Sequence, residues 1–212
     1  MPAEITSPTS VTSTQSEPPT WADEFTANLN HGWFYIIPTN PKILYAHLEN
    51  DSLILKLPNG KERKDVMAYS PKLAEKNFVL NFDFKFGKSE PNDIFRIQFK
   101  QSTNQTILVD LSKSEDSIIR WSLYNESQTS SGTYVYFGPQ YVNVTIILKG
   151  NQCAVYFNND PFAYLNDCRT EPIPEPIKET VSFHLISTTG HPAIVTVDNI
   201  KFWNLDKPLY RP

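Results

Sequence analysis

Apolar and polar residues alternate over residues 77–100, the most regularly patterned stretch of the chain. A short polar turn interrupts the alternation once. A period of two places successive side chains on opposite faces of an extended strand. The pattern therefore predicts two amphipathic strands, each of which must bury its apolar face against a second sheet. The apolar positions are Phe78, Leu80, Phe82, Phe84, Phe86, Phe95, Ile97 and Phe99.

Short segments of similar character recur along the rest of the chain, with turn-forming residues between them. No repeat with a period of about 20 to 50 residues is visible, which argues against propellers and solenoids. About a dozen strands without a convincing helix predict an all-β protein, a two-sheet antiparallel β-sandwich or jelly roll. The further strands are expected at residues 23–37, 52–57, 66–70, 106–111, 118–124, 133–137, 142–148, 152–157, 163–165, 181–187 and 194–205.

The last predicted strand changes the parity of its apolar residues half-way along. A β-bulge at residues 198–199 would return all of them to one face, because a bulge inserts one extra residue into a strand. This interpretation gives Asp198 a structural role rather than a catalytic one. The apolar residues concerned are Val195, Val197, Ile200 and Phe202.

Residues 1–20 are dominated by Ser, Thr and Pro and offer no apolar face. Such a segment cannot offset the entropy cost of its own ordering, so we expect a disordered linker. The composition is typical of an extended or O-glycosylated stalk outside the cell, although a tail without a role is the simpler alternative. Residues 21–212 are predicted to form a single β-sandwich domain.

The chain has 212 residues, a formal net charge of −4 and a pI of about 5.6. It has no basic stripe to neutralise phosphates, which argues against nucleic acid as a partner. No apolar run approaches the roughly 18 residues that span a bilayer, so no transmembrane segment is expected. The first residues lack a signal-peptide pattern. The chain is therefore either cytosolic or a fragment of a longer protein, and we favour a fragment located extracellularly or at the cell surface.

The two cysteines, Cys153 and Cys168, flank a predicted hairpin whose turn is expected at residues 159–162. If Asn158 pairs with Ala163, the cysteines fall directly opposite each other, where favourable geometry would allow a disulfide. A disulfide would point to an oxidising compartment. Two free thiols are an equally open alternative.

Four motifs follow one another along the chain: an opening F…L…W strand at residues 25–33, a long strand with an Asn-containing turn at 82–96, a strand–Gly–strand hairpin with an Asn-Asn turn at 141–162, and a closing VDNIKFWNL strand at 197–205. Together they resemble the concanavalin A-like lectin/glucanase superfamily, particularly its laminin-G-like and sugar-hydrolase-like jelly rolls. The resemblance implies one convex and one concave sheet, with ligands bound on the concave sheet or its rim loops.

The chain departs from this family at two places. Glycoside hydrolases of the superfamily commonly carry Glu-x-Asp-x-x-Glu on a central strand, and no such triplet occurs here. The sugar-hydrolase-like branch typically has Asn-Ser-Gly-Ile before its Arg-containing strand, where this chain has the sequence Asn92-Asp93-Ile94-Phe95. The turn lacks that glycine, so the resemblance does not extend to a site there.

Glycoside hydrolysis requires two carboxyl groups about 5 to 9.5 Å apart. Asp83 and Asp110 are the candidates if they lie on adjacent strands, but neither has a second acid at a suitable spacing. The chain has no Gly-x-Ser-x-Gly elbow, and its four histidines lack the spacing of metal ligands. We therefore assign no catalytic residues. His184 is expected at the surface.

Ligand binding is the remaining chemistry. Sugars are held by planar hydrogen-bonding side chains beside an aromatic platform. We expect the polar residues that alternate with apolar ones on the central strands to supply the hydrogen-bonding side chains. Trp33, Trp121 and Trp203 are the candidate platforms. The alternative is that the tryptophans are core residues and the arginines a solvated surface. The candidate ligand-binding residues are Asp83, Arg96, Gln98, Asp110, Arg120 and Tyr124.

A structural calcium ion is the one cofactor considered, because related sandwiches often hold Ca²⁺ with Asp, Asn and carbonyl oxygens. Its candidate ligands are Asn92, Asp93 and Asp198. The alternative is that these residues are solvated turn formers.

Three functions follow, in order of preference. The first is a non-catalytic, lectin-like binding module for carbohydrate on an extracellular stalk. The second is a structural or protein-interaction sandwich, an accessory domain of a larger surface protein or receptor. The third is a divergent glycoside hydrolase.

Overall fold

The structure is a computed structural model of the chain. It describes residues 18–25, 33–36, 46–58, 64–70, 75–91, 93–100, 106–115, 118–125, 128–135, 141–168, 181–187 and 191–206. Most of the predicted linker, residues 1–17, lies outside these ranges.

Within the described ranges the chain forms fifteen strands, numbered in chain order. They are β1 (Trp21–Asp23), β2 (Phe34–Ile36), β3 (Ala46–Glu49), β4 (Ser52–Leu57), β5 (Lys64–Tyr69), β6 (Phe78–Phe86), β7 (Ile94–Lys100), β8 (Thr106–Glu115), β9 (Ile118–Tyr124), β10 (Thr129–Val135), β11 (Val142–Lys149), β12 (Gln152–Phe157), β13 (Asp160–Leu165), β14 (Val181–Ser187) and β15 (Ala193–Asn204).

The strands make two antiparallel sheets. The eight-stranded sheet has the order β13-β12-β11-β6-β15-β4-β3, with β1 paired to β15, and the seven-stranded sheet has the order β10-β9-β8-β7-β14-β5-β2. The all-β, two-sheet sandwich predicted from the sequence is confirmed. In the part of the chain that the structure describes, no helix is long and apolar enough to cross a membrane.

The alternating apolar residues of β6 and β7, which we call the phenylalanine ladder, form the centre of the core. Phe82 and Phe84 of β6 and Phe95 of β7 have no solvent exposure. Phe95 packs against Phe84 at 5.4 Å between ring centroids and against Phe183 of β14 at 6.0 Å. Strands β6 and β7 are consecutive in sequence but belong to different sheets. Their apolar faces therefore meet across the core, and their polar faces point to opposite sides of the sandwich.

The predicted bulge in the last strand is confirmed. The register of β15 against β6 shifts between Asp198 and Lys201. Asn199 has a φ of 51°, a left-handed conformation that asparagine tolerates better than most residues. The shift places the apolar residues on both sides of it in the core, namely Val195, Val197, Ile200 and Phe202.

The single strand predicted at residues 23–37 is wrong, because β1 pairs with β15 in one sheet and β2 pairs with β5 in the other. Asp23 is the last residue of β1, and its carboxylate accepts two hydrogen bonds. Its Oδ1 accepts a 2.8 Å hydrogen bond from the backbone N–H of Phe25, which has a φ of 53°, and its Oδ2 accepts one of 2.9 Å from Trp33 Nε1. Asp23 is buried, and these bonds satisfy its charge.

The hairpin that carries the cysteines turns earlier than predicted. Asn158 and Asn159 both have positive φ, 49° and 70°, as in a two-residue type I′ turn. Phe157 therefore pairs with Asp160, and Cys153 faces Leu165 rather than Cys168. The predicted pairing of residues 158 and 163 is wrong.

Cys168 instead lies just beyond β13, where its backbone N–H donates a 2.8 Å hydrogen bond to the carbonyl of Asn151. This contact brings the Cα atoms of Cys153 and Cys168 to 5.9 Å, and a disulfide joins the two residues.

Candidate functional site

Three polar side chains form a closed cluster on the outer face of the seven-stranded sheet. Arg96 and Asp110 are register partners on β7 and β8. Arg96 donates from Nε to Asp110 Oδ1 at 2.7 Å and from Nη2 to Oδ2 at 2.8 Å. The hydroxyl of Tyr124, on β9, donates to Asp110 Oδ2 at 2.9 Å and accepts from Arg96 Nη2 at 2.9 Å. We call these residues the Arg96 cluster.

The hydrogen bonds and the burial of the cluster together fix the charges of Arg96 and Tyr124. The hydrogen bond to Asp110 raises the pKa of Arg96, which therefore stays cationic. Burial, and then the hydrogen bond to Asp110, raise the pKa of Tyr124 to about 12. At neutral pH Arg96 is thus a cation and Tyr124 a neutral phenol, and both bond to the side chain of Asp110. A bidentate arginine–carboxylate pair of this kind is geometrically specific as well as strong.

The polar surface continues across two further strands. His184 on β14 is the register partner of Arg96, and its Nε2 lies 2.9 Å from the hydroxyl oxygen of Ser182. Its Nδ1 lies 3.4 Å from Asp65 Oδ1 on β5. His184 is 8% exposed, so its predicted surface position is wrong.

The connectivity of Ser182, His184 and Asp65 follows the order of a nucleophilic triad, but Ser182 and His184 are both more than nine-tenths buried. We therefore interpret them as structural residues on the strand next to Arg96. The sequence did not reveal this contact, because Asp65 and His184 meet only through the pairing of β5 with β14.

Gln98 and Arg120 share this outer face but take no part in the hydrogen bonds described for the cluster. Gln98 is half-buried and lies between its register partners on β8 and β14. Arg120 is exposed, and within the described residues it makes no hydrogen bond to the cluster. It lies four residues before Tyr124 on β9, a separation of about 13 Å along a strand.

Asp83 lies on the other side of the molecule, on the outer face of the eight-stranded sheet. The expectation that it shares a face with Arg96, or lies on a strand adjacent to Asp110, is wrong. Its Oδ1 accepts a 2.8 Å hydrogen bond from Asn143 Nδ2, and its Oδ2 accepts one of 2.8 Å from Asn199 Nδ2. Both carboxylate oxygens are thus occupied by amide donors from neighbouring strands.

The structure describes two of the three residues considered for calcium. Asp93 lies directly before β7, and its Oδ2 accepts a 2.7 Å hydrogen bond from the backbone N–H of Glu90. Asp198 lies in β15 opposite Asp83, and burial raises its pKa. Asn92 lies outside the described residues. No group of three or more His, Cys, Asp or Glu residues in the described ranges could hold a metal ion.

The tryptophans do not form a platform. Trp33 is 2% exposed, Trp121 is 7% exposed and Trp203 is 9% exposed. Trp121 lies against the edge strand β10 so closely that a Cβ at Gly132 would be 2.9 Å from its Cζ2. Exposed aromatic rings are found instead at Tyr141 and Tyr164, both on the eight-stranded side.

A groove that the sequence did not predict crosses the outer face of the eight-stranded sheet. It has a volume of about 740 Å³ and lies over β3, β4, β6 and β15, with Tyr141 at its side. Its residues are scattered over about 150 positions of the chain, and only the strand order brings them together. Charged and aromatic residues of its lining are His47, Glu49, Lys56, Lys85 and Tyr141.

No protein-family model and no curated protein matches the chain. Solved structures, by contrast, do match the chain. The laminarinase catalytic domain from Thermotoga maritima matches with a TM-score of 0.62 at 12% identity, over 89% of this chain and 98% of that one. The carbohydrate-binding module CBM66 from Bacillus subtilis matches with a TM-score of 0.50 at 9% identity, over 82% and 96%.

A sialidase also matches, with a TM-score of 0.54 at 16% identity over 82% of this chain. The chain spans only 17% of the length of that sialidase. Similarity at these identities describes the fold and not the chemistry of the site. The chain therefore has the concanavalin A-like jelly-roll fold, in agreement with the resemblance found in its sequence.

Proposed function

We propose that the chain is a non-catalytic carbohydrate-binding module that holds its ligand at the Arg96 cluster. The observation that carries this proposal is the closed set of hydrogen bonds among Arg96, Asp110 and Tyr124 on an outer sheet face. Structures of similar fold include a carbohydrate-binding module and a laminarinase, which supports a carbohydrate ligand.

The cluster is preorganised and still accessible. The side chains of Arg96 and Asp110 are 22% and 15% exposed. The three bonds that Arg96 makes to Asp110 and Tyr124 use Nε and Nη2, and within the described residues its Nη1 has no partner. Two N–H donors of Nη1 are thus available to sugar hydroxyl groups. A guanidinium that is already fixed loses little entropy when a ligand binds.

The same bonds favour binding over hydrolysis. A glycosidase needs a general acid and a second carboxylate about 5 to 9.5 Å away from it. Both oxygens of Asp110 are held by Arg96 and Tyr124, and Asp83 belongs to the opposite sheet. This pair therefore cannot act on one glycosidic bond.

We further propose that the module works outside the cell or at the cell surface, as a fragment of a longer protein. The disulfide between Cys153 and Cys168 supports this location, because disulfides persist in oxidising compartments. The Ser-, Thr- and Pro-rich residues 1–20 would then serve as its stalk.

The test is a glycan array with the full chain, followed by titration calorimetry with each glycan that binds. Arg96→Gln and Tyr124→Phe should weaken binding by about tenfold or more, because each removes a hydrogen-bonding group from the cluster. Tyr164→Phe is the matched control, since it removes an exposed hydroxyl on the other sheet and should leave binding unchanged. Thermal unfolding of each variant separates lost binding from lost folding.

Two results would overturn the proposal. One is the absence of binding to any glycan at millimolar concentration, which would favour the protein-interaction sandwich. The other is hydrolysis of a polysaccharide that Asp110→Asn abolishes, which would make the chain an enzyme.

A further inference from the structure

The groove on the eight-stranded sheet is formed by side chains that point away from the core. In β4, Leu53, Leu55 and Leu57 are fully buried, so Lys56 between them projects outward. By the same alternation Lys85 projects from β6 and Thr196 from β15. The groove therefore lies on the opposite outer face from the Arg96 cluster and shares no residue with it.

Its lining contains two lysines and one carboxylate, whereas the chain as a whole has a formal net charge of −4. Lys85 and Lys56 both line the groove. The Nζ of Lys85 lies 4.6 Å from the centroid of the Tyr141 ring, a cation–π contact that holds the ammonium in place. The one lining carboxylate, Glu49, is occupied by His47, whose Nε2 lies 2.8 Å from its Oε2.

The nearest carboxylate along β6 is hydrogen-bonded to amides and is not paired with Lys85. Asp83 precedes Lys85 by two residues on the same face, but the amides of Asn143 and Asn199 bind its two oxygens. The ammonium of Lys85 is directed instead to Tyr141. A ligand anion in the groove can thus bond directly to the ammonium groups of Lys56 and Lys85.

The remaining lining is suited to a sugar. Ser52 and Thr196 provide hydroxyl groups and Asn50 an amide, and Tyr141 provides an aromatic ring that is 37% exposed. Aromatic rings pack against the apolar face of a sugar, while hydroxyl and amide groups bond to its edges. A volume of about 740 Å³ lies within the usual range of small-ligand sites, about 300 to 1,000 Å³.

We propose that this groove is a second binding site, and that its ligand is a saccharide carrying a carboxylate, such as a uronic acid oligomer. Lys56 and Lys85 bind the carboxylate, Tyr141 packs against the sugar ring, and the hydroxyl groups of Ser52 and Thr196 bond to its edge. The site does not depend on the Arg96 cluster.

The test is titration calorimetry of the full chain with an oligomer of galacturonic acid and with the neutral galactose oligomer of the same length. We expect the acidic oligomer to bind and the neutral one to bind at least about tenfold more weakly, because it lacks the charge-assisted bonds. Binding of the acidic oligomer should weaken as salt is raised, since exposed charges are screened.

Lys85→Gln and Lys56→Gln should each weaken binding of the acidic oligomer by about tenfold. Lys149→Gln is the matched control: Lys149 is an exposed lysine at the end of β11, it does not line the groove, and its loss should change nothing. Arg96→Gln should also leave this binding unchanged, which separates the groove from the proposed function of the Arg96 cluster.

Three results would overturn the inference. Equal binding of the neutral oligomer would show that the lysines do not select the ligand. Equal loss in Lys149→Gln would show that binding follows net charge alone. Absence of binding to the acidic oligomer at millimolar concentration would show that the groove is not a site for it, whatever the Arg96 cluster binds.

Discussion

The ring of Phe82 meets the ring of Phe95 edge-on, with 6.2 Å between centroids and 88° between planes. The two residues come from strands that follow one another in sequence but lie in opposite sheets. Edge-to-face geometry is a favoured arrangement of aromatic pairs. This contact joins the two sheets in the core, and the polar residues that alternate with these rings on β6 and β7 face opposite outer surfaces.

Phe82→Ala should lower the free energy of unfolding by about 3 to 5 kcal/mol, because it removes a fully buried ring and leaves a cavity between the sheets. Chemical denaturation measures the change. Val135→Ala, at an exposed position of β10, is the control and should shift the same quantity by no more than about 0.5 kcal/mol. Similar losses in both variants would contradict the assigned core.

The stability of the fold should fall above pH 10 through Tyr124. Its pKa is about 12 in the folded state against 10.0 for an ordinary tyrosine, so the neutral phenol is favoured by folding. That contribution is complete below pH 10 and is lost as the pH rises through about 12. Urea unfolding of the wild type and of Tyr124→Phe should thus give a constant difference below pH 10 that shrinks toward pH 12.

Tyr156, whose pKa burial also raises, is present in both proteins, so its effect cancels in this comparison. A difference that stays constant up to pH 12 would mean that Tyr124 ionises as it does in the unfolded chain.

Asp198→Asn should stabilise the protein at neutral pH. Burial raises the pKa of Asp198 above 3.8, and the nearby charge of Asp83 raises it further. The folded state therefore favours the protonated form, and this advantage is lost as the pH rises through the raised pKa. The melting temperature of the variant should exceed that of the wild type at pH 7, and the gap should close below about pH 3.8.

The hydrogen bond from the backbone N–H of Asn199 to Asp198 Oδ1 can also be made by an asparagine at position 198. Lower stability of Asp198→Asn at pH 7 would show that the charge itself is needed at the bulge.

The disulfide should contribute about 3 kcal/mol to the free energy of unfolding, the value expected for a closed loop of about 15 residues. Cys153→Ala and a reduced wild type should lose similar amounts. Thiol titration of the unfolded protein should detect no free thiol before reduction and two afterwards. Two reactive thiols in the untreated protein would show that Cys153 and Cys168 do not form a disulfide.

Much of the fold could be predicted because strand periodicity is a local property of the sequence. Strands β4, β9, β12 and β14 begin and end at the predicted residues. The parity change in β15 was sufficient to predict its bulge. The short β3, by contrast, has one buried residue, Ala46, and too little alternation to be detected.

The site was harder to predict, because it depends on which sheet each strand joins. The alternation in β6 and β7 placed Asp83 and Arg96 on polar faces correctly, but it carried no information that these faces point apart. The Arg96 cluster needed only the adjacent pairings of β7, β8 and β9, which hairpin order makes probable. The groove needed β4 to pair with β15, about 140 residues later, and no local pattern indicates this.

The phenylalanine ladder also acts as a partition. Two sheets that pack face to face are about 10 Å apart, so a layer of aromatic rings separates the Arg96 cluster from the groove around Lys85. The side chains of the two faces do not touch one another, and substitutions on the two faces should have additive effects. With both sites occupied, the domain would be a cross-link, joining two polymer chains that approach it from opposite directions.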